Sequence, residues 1–400
     1  MKKSTDPIKI ILTGDLCPVA DVERKFQQKR GEEVFGDVLP QLLDKDLSIT
    51  NLELALTQGG KEIDKCGPNL KADPAIFSEL KKADFDIYSV ANNHARDFDD
   101  SAFTETLSHI EAAGAKYIGG GSDAATAAKP LKLNIKNIKV AIFAISMHCD
   151  CDASATTPGV NALNLPYNIM DIMKTAQEGY QVLVVFHDGK EFCPFPADRI
   201  RNYCHAFIDA GACAVIGHHP HIIRGIERYR DGIIAYSLGN FLFPQRDGTP
   251  MPDPFWFNGF SLRLQVGSSG LLDYDVIPHH YNHKKGCLEL MNKDDRHLFF
   301  KNLNRLNDIL ASGNQNQRYF SADSESFTEY ADFLSKFTKN LSNNSWETTA
   351  EKQTAKAFHH FLTCNEHWDL LEALSLRKWQ GDVDVPEDLK EITQSLGRTF

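Results

Sequence analysis

The chain reads as an α/β core carrying a C-terminal helical extension, and three observations predict this. Short apolar runs bounded by glycine and polar turns alternate with amphipathic stretches over residues 1–285. Most of these runs end in a residue type able to ligate a metal or move a proton. From about residue 286 strand patterns stop and helical periodicity takes over. The expected division is a core of residues 1–285 and an extension of residues 286–400.

Taken in order, residues 8–15 (IKIILTGD) form a strand ending in a Gly-Asp turn. A helix over 31–44 places Val34, Val38, Leu42 and Leu43 on one face, and the strand 47–52 runs straight into Glu53. Pro74 starts the next helix, with Ile76, Leu80 and Ala83 on its apolar side. The strand 85–90 ends in ANNHARDFD, and a helix over 101–113 stops at Gly114. Residues 116–119 and 138–146 read as strands, followed by a long polar loop, 148–163, of a length often tied to function. A helix over 169–178 precedes the strand 181–186, which delivers HDGKE (187–191), and a helix over 198–210 follows. The apolar run 213–216 ends in GHHPH, and a second run, 232–236, delivers SLGNF toward the same edge. Alternation over 260–266 and 272–277 around SSG predicts an antiparallel hairpin. The extension reads as helices over 296–311, 326–341, 349–364, 367–377 and 386–396, with SGNQNQ and SNNS as polar linkers. No chemistry is read there; capping of the site, self-association and simple packing all stay open.

Composition narrows the function class. With 400 residues, 42% hydrophobic and 24% charged, the chain is ordinary for a globular protein with a sizeable core. A net charge of −11 without a Lys/Arg-rich run argues against a nucleic-acid partner and against docking on an anionic membrane. No segment reaches the length of a membrane span, and the N-terminal apolar run is too short for a signal peptide, so a cytoplasmic location is expected. The nine cysteines lack a framework spacing, which fits free thiols in a reducing compartment. Cys149 and Cys151 form the one close pair and read either as loop thiols or as a metal or redox site.

The residues at the predicted strand ends form one constellation: Asp15, Glu53, Asn93, His94, His187, His219 and His221. In α/β sheets ligands sit beyond the carboxyl ends of strands. Carboxylates, an amide oxygen and imidazoles suit first-row divalent ions such as Mn, Fe or Zn, whereas calcium wants mostly oxygens. The set is too large for one ion and about right for two that share a carboxylate. Singly, Asp15 and Asn93 could cap turns and His187 could be a satisfied core histidine. Glu53 is harder to explain that way, because an unpaired buried carboxylate is costly.

The ordered set GD (14–15), NLE (51–53), ANNH (91–94), HDGKE (187–191), GHHPH (217–221) and YSLGNF (236–241) resembles the CapA family. That family is named for poly-γ-glutamate capsule synthesis and is similar in fold to the calcineurin-like metallophosphoesterases. The likeness covers about residues 8–265 and nothing of the extension. It implies a core of two packed mixed β-sheets flanked by helices. It also implies two divalent metal ions, one on Asp15 and His221, the other on Asn93, His187 and His219, bridged by Glu53 where the wider superfamily usually has Asp. His94 would then protonate a leaving group or stabilise developing charge, and Glu191 would be a further acid/base or substrate contact. Asn240 would line the pocket, and Arg224 would either meet an anionic substrate or lie on the surface.

Two departures qualify the resemblance. Phosphoesterases usually begin Asp-x-His, whereas this chain has Asp15-Leu16-Cys17, so a ligand is either missing or replaced by the Cys17 thiolate. Capsule-synthesis members are also expected to carry an N-terminal membrane anchor, which this sequence does not show. The leading expectation is a metal-dependent hydrolase of a phosphoester or amide-type bond, acting on a small molecule or an anionic polymer. The alternative is a non-hydrolytic component of poly-γ-glutamate synthesis that binds the polymer or its ligase.

Overall fold

The computed structural model describes residues 6–250, 254–323, 329–342, 348–380 and 387–396. The chain first lays down β1 (Ile8–Leu16), β2 (Leu47–Leu52), β3 (Ile87–Ser89) and β4 (Lys116–Ile118), each parallel to the one before. It then builds a second sheet from β5 (Leu131–Ile135), β6 (Ile138–Ser146), β7 (Gln181–His187), β8 (Ala212–His218), β9 (Ile226–Tyr229) and β10 (Gly232–Ala235). In that sheet β6, β7, β8 and β10 are parallel, and β5 and β9 close the edges antiparallel. The chain returns to the first sheet with β11 (Asn240–Leu242), β12 (Asn258–Gly267), β13 (Gly270–Asn282) and β14 (Cys287–Leu290). The result is an eight-stranded and a six-stranded sheet, both mixed, as the resemblance implied. The expected hairpin is β12–β13.

β1 shows why the sheets pack as they do. Its nine residues are buried except Lys9. Ile8, Ile10 and Leu12 join an apolar cluster with Val140, Ile142, Val184 and Val215 of the second sheet. Ile11, with the opposite orientation in the pleat, joins a separate cluster with Val22, Phe26, Val34 and Phe35. The sheets therefore share one core, and the helical layer α1 (Ala20–Gln27) covers the other face of β1. The sequence reading had no element at α1. Its two buried residues, Val22 and Phe26, make too short an apolar stripe, and its N-cap, Val19, accepts no side-chain hydrogen bond. The single helix expected over 31–44 is instead Gly31–Phe35, a 3-10 turn Gly36–Val38 and Leu39–Leu43. The break falls at Gly36, whose φ of +53° is outside the helical region. The longer helices α2 (Asp99–Ala112), α3 (Leu165–Gln177) and α4 (Asp198–Asp209) lie where periodicity placed them.

The sheet runs on to Leu290, and the helices begin at α5 (Lys293–Ala311). They continue as α6 (Asn314–Asp323), α7 (Glu329–Ser342), α8 (Thr349–Thr363), α9 (Asn365–Gln380) and α10 (Glu387–Leu396). The segment SGNQNQ, expected as a linker, gives its last four residues to α6; Asn316 there donates to the Pro196 carbonyl at 2.8 Å. The expected helix starts at 326 and 386, and most of SNNS, lie outside the described residues. α5 buries Phe299, Leu303, Leu306, Ile309 and Leu310 in the cluster that both sheets share. Each such side chain contributes about 1.5–3 kcal/mol. Two buried charges tie α9 to the core as well: Arg199 donates to Asp188 and to Asp369, both at 2.9 Å. Among the described residues no helix is long and apolar enough to cross a membrane.

Candidate metal centre

Strand register brings the carboxyl ends of both sheets to one place. In the larger sheet Asp15 stands beside Asn51 of β2 and Asn240 of β11. In the smaller sheet His187 stands beside His218. Main chains meet closely at this edge. A Cβ on Gly14 would lie 1.9 Å from the Gly239 carbonyl oxygen, so only glycine fits next to Asp15. The link between sheets is polar: His218 Nδ1 donates to Asp15 Oδ1 at 2.9 Å, and Asn51 Nδ2 donates to the same oxygen at 2.8 Å.

Beyond β8 the backbone is strained. His219 and His221 hold φ values of +94° and +58°. Such non-glycine conformations cost on the order of 1–3 kcal/mol each and persist where surrounding structure enforces them. Their effect is to turn both imidazoles inward. His221 Nδ1 donates to Asn240 Oδ1 at 2.9 Å, and its Nε2 lies 3.7 Å from Glu53 Oε1. Trp256 covers the ring, centroid to centroid 4.6 Å. The His187 and His219 rings lie 4.9 Å apart, and His187 Nε2 donates to Asn93 Oδ1 at 2.8 Å.

Glu53 is the centre of the arrangement. It is fully buried, and neither oxygen accepts a hydrogen bond from any described residue. His187 and His221 each approach Oε1 at 3.7 Å. Burial, with the Asp15 carboxylate adding to it, pushes the Glu53 carboxyl well above its usual range. Burial has the same tendency at Asp15 but is outweighed there by hydrogen bonds from His218 and His221, which hold it low. At His221 burial is overcome by Glu53 and Asp15, and the imidazole rises to about 10. Burial and the neighbouring His219 hold His187 well down, so its ring is neutral. A positive charge is thus demanded between Asp15 and Glu53, and a proton on His221 answers it.

Ligand atoms of Asp15, Glu53 and His187 lie within 4.8 Å of one another, and so do those of Glu53, His219 and His221. Glu53 belongs to both groups, as a shared ligand must. The groups pair Asp15 with His187 and His219 with His221, whereas the resemblance paired Asp15 with His221 and His187 with His219. All four remain neighbours, since Asp15 Oδ2 is also 3.5 Å from His221 Nδ1. These residues fit divalent ions: a buried carboxylate and His219 nitrogens that make no hydrogen bond to any described residue are what a cation would satisfy.

His94 sits beside the centre with its Nδ1 engaged. It donates to Asp97 Oδ2 at 2.7 Å, and the Lys65 ammonium lies 3.2 Å from the same nitrogen. Burial, reinforced by Lys65, brings this imidazole down to about 4. Nε2 is left as the nitrogen that can exchange a proton. Glu191 is half-buried, and its charge reaches Glu53 and His221. Asn240 holds His221 and donates to the Trp256 carbonyl at 3.0 Å, which makes it a positioning residue.

Arg224, expected to meet an anionic substrate or to lie on the surface, does not lie on the surface. It is fully buried, and its guanidinium donates to the carbonyls of Cys193 and Lys190, both at 2.8 Å, holding the loop after β7. Cys17 belongs to neither ligand group; it packs among Leu16, Val19 and Val22, and burial pushes its thiol well up. None of the nine cysteines is in a disulfide, and Cys151 donates to the Asn93 carbonyl at 3.2 Å, bracing that loop.

Sequence reasoning missed several members. Asn51 and Asn92 lie inside quoted motifs, and Asn92 Nδ2 donates to Asn51 Oδ1 at 3.1 Å. His218, the strand's last residue, was passed over for the His-x-His beside it. Lys65, Asp97 and Glu366 carried no signal. Glu366, from α9, places its carboxylate 3.7 Å from His219 Nε2 and 3.6 Å from the Lys190 ammonium.

Residues 9–245 match the family model described as Bacterial capsule synthesis protein PGA_cap. The chain is 29% identical over 252 residues to the capsule biosynthesis protein CapA of Bacillus anthracis, covering 61% of each. It is 31% identical over 251 residues to the PGA biosynthesis protein CapA of Bacillus subtilis (strain 168), covering 60% of this chain and 65% of that one. The chain thus spans less than two thirds of the length of either relative. The 5'-nucleotidase precursor from Thermus thermophilus superposes on 72% of this chain and 55% of its own, with a TM-score of 0.41 and 11% identity.

Proposed function

Because the chain belongs to the bacterial capsule synthesis protein (PGA_cap) family, we propose that its sheet-edge centre is a dinuclear hydrolytic site. Its bond would be a phosphoester or an amide-type bond in a small molecule or an anionic polymer. The observation that supports this reading most is Glu53, a fully buried carboxylate without a hydrogen bond from any described residue and shared by two ligand groups.

Asp15, Glu53, Asn93, His187, His219 and His221 would hold the ions, of the Mn, Fe or Zn class. When bound, such ions lower the pKa of water and neutralise charge on the attacking and leaving oxygens. The chain's own groups do the rest. Asn240 fixes the His221 ring through Nδ1, leaving Nε2 directed at Glu53. His218 and Asn51 hold Asp15 in its ionised form. His94, anchored by Asp97, carries a proton to or from the reacting group.

The names of the two Bacillus relatives favour a second reading, a non-hydrolytic component of polymer synthesis. One experiment separates the two. Elemental analysis of untagged protein, wild type against Glu53→Gln, should show about two first-row ions per chain lost with the carboxylate. Wild type so loaded should cleave aryl phosphoesters or γ-glutamyl amides, and His94→Ala should abolish turnover with metal content kept. Full loading without turnover on either class would favour the accessory role; no difference in metal content would sink the dinuclear assignment.

A further inference from the structure

A second cluster of ligand type lies in the extension, apart from the sheet edge. His360, Cys364 and His367 offer ligand atoms that all lie within 4.8 Å of one another. Local structure brings them together. His360 and Cys364 stand four residues apart and so share one face of α8. Helix α8 stops at Thr363, and Cys364, the cap, turns the chain with φ −94° and ψ 115°. α9 starts at once, and His367 N donates to the Cys364 carbonyl at 3.2 Å, so its first turn folds back on the last turn of α8. The His360 and His367 rings end 5.2 Å apart, edge to face. Cys364 is buried, and both histidines are half-buried.

From this geometry we infer that the extension carries a metal site of its own, for an ion of the zinc class. Two imidazoles and a thiolate are a borderline-to-soft set, unlike the mixed oxygen and imidazole set at the sheet edge. An ion takes imidazole nitrogens and a deprotonated sulfur as ligands, so binding would release the Cys364 thiol proton. The Glu366 carboxylate lies 4.0 Å from His367 Nε2, close enough to become the outer partner that such histidines usually have once an ion draws the ring into place. Three protein ligands leave a fourth position open. His360 and Cys364 also line a cavity of about 420 Å³ whose other wall includes Asn93, His148 and Asp150. The ion would therefore fasten the α8–α9 junction against the cavity beside the sheet-edge centre, with Glu366 held toward His219. Neither consequence depends on that centre being hydrolytic.

The test is cobalt(II) titration of chelator-stripped, full-length protein, followed in the near ultraviolet. A thiolate-to-cobalt charge-transfer band is expected in wild type and in Glu53→Gln, and its loss in Cys364→Ser. His360→Gln should keep the band but weaken cobalt affinity at least about tenfold, the loss typical even of outer partners. No band in wild type, or a band that survives Cys364→Ser, whichever thiol carries it, would overturn the site. Retention of the band in Glu53→Gln keeps this outcome separate from the fate of the dinuclear reading.

Discussion

The two sheets bring different chemistry to the same edge. The eight-stranded sheet supplies oxygen-bearing side chains, Asp15, Glu53 and Asn93, from the ends of β1, β2 and β3. The six-stranded sheet supplies imidazoles, His187, His218, His219 and His221, from the ends of β7 and β8. Neither sheet holds a complete set, so the centre exists only because the shared apolar core sets the two edges against each other. The difference also explains the electrostatics. Oxygens on one side are short of a cation, and histidines on the other can lend a proton or accept an ion in its place.

The comparison can be broken from either side, and the largest effect is expected from the oxygen side. Glu53→Gln should remove the share of the ion-dependent gain in thermal stability that the sheet-edge centre supplies, about 2.7 kcal/mol for each ion when the free ion is a hundredfold above its Kd. The same variant, stripped with a chelator, should melt no lower than stripped wild type, because it loses a carboxylate whose burial cost the His221 proton offsets only in part. A lower melting point in chelator would show that Glu53 is already compensated within the protein.

From the imidazole side the loss should be partial. His219→Gly removes a ligand and relaxes a backbone held at φ +94°. Metal content should fall by about one ion relative to wild type while the stripped protein keeps its urea midpoint. Loss of both ions would make His219 a member of each site and overturn the division between them.

A smaller effect is expected one step back from the ions. Asn240→Ala frees the His221 ring and should weaken ion affinity by about 10- to 100-fold with the fold intact. Isothermal titration with Mn or Zn would read this directly, and unchanged affinity would remove Asn240 from the machinery.

The smallest effect tests a histidine of the oxygen-bearing sheet that serves no site. His279 in β13 is fully buried, neither nitrogen is hydrogen-bonded to a described residue, and burial lowers it to about 3. With the folded value depressed, its contribution is complete above the unfolded value near 6.5 and is lost progressively as pH falls toward 3. Wild type should therefore lose about 1–2 kcal/mol more than His279→Leu between pH 7 and pH 5, measured by urea unfolding in chelator. Parallel curves for the two proteins would mean that His279 finds a proton acceptor in the fold.

Much of this centre was legible in the primary structure, for a local reason. A buried strand announces itself by an apolar run, and the polar residue that ends the run marks the sheet edge, so Asp15, Glu53 and His187 could be collected without coordinates. The β12–β13 hairpin was readable on the same grounds, from period-two alternation around SSG. Helices with a weak stripe were not: α1 buries two residues, and α6 begins inside a run of Asn and Gln that reads as linker.

What the tertiary structure alone decided lies between elements distant in the chain. The hydrogen bond from His218 to Asp15 spans 203 positions, and Arg224, expected either at an anionic substrate or on the surface, is buried against a loop it holds through two carbonyls. Glu366 reaches His219 only because α9 is fastened to the core through Arg199 and Asp369. Periodicity and turn chemistry depend on neighbours in sequence and so determine which residues reach an edge. Which edges meet, and whether a carboxylate there finds a proton or a metal, depends on the packing of the whole core.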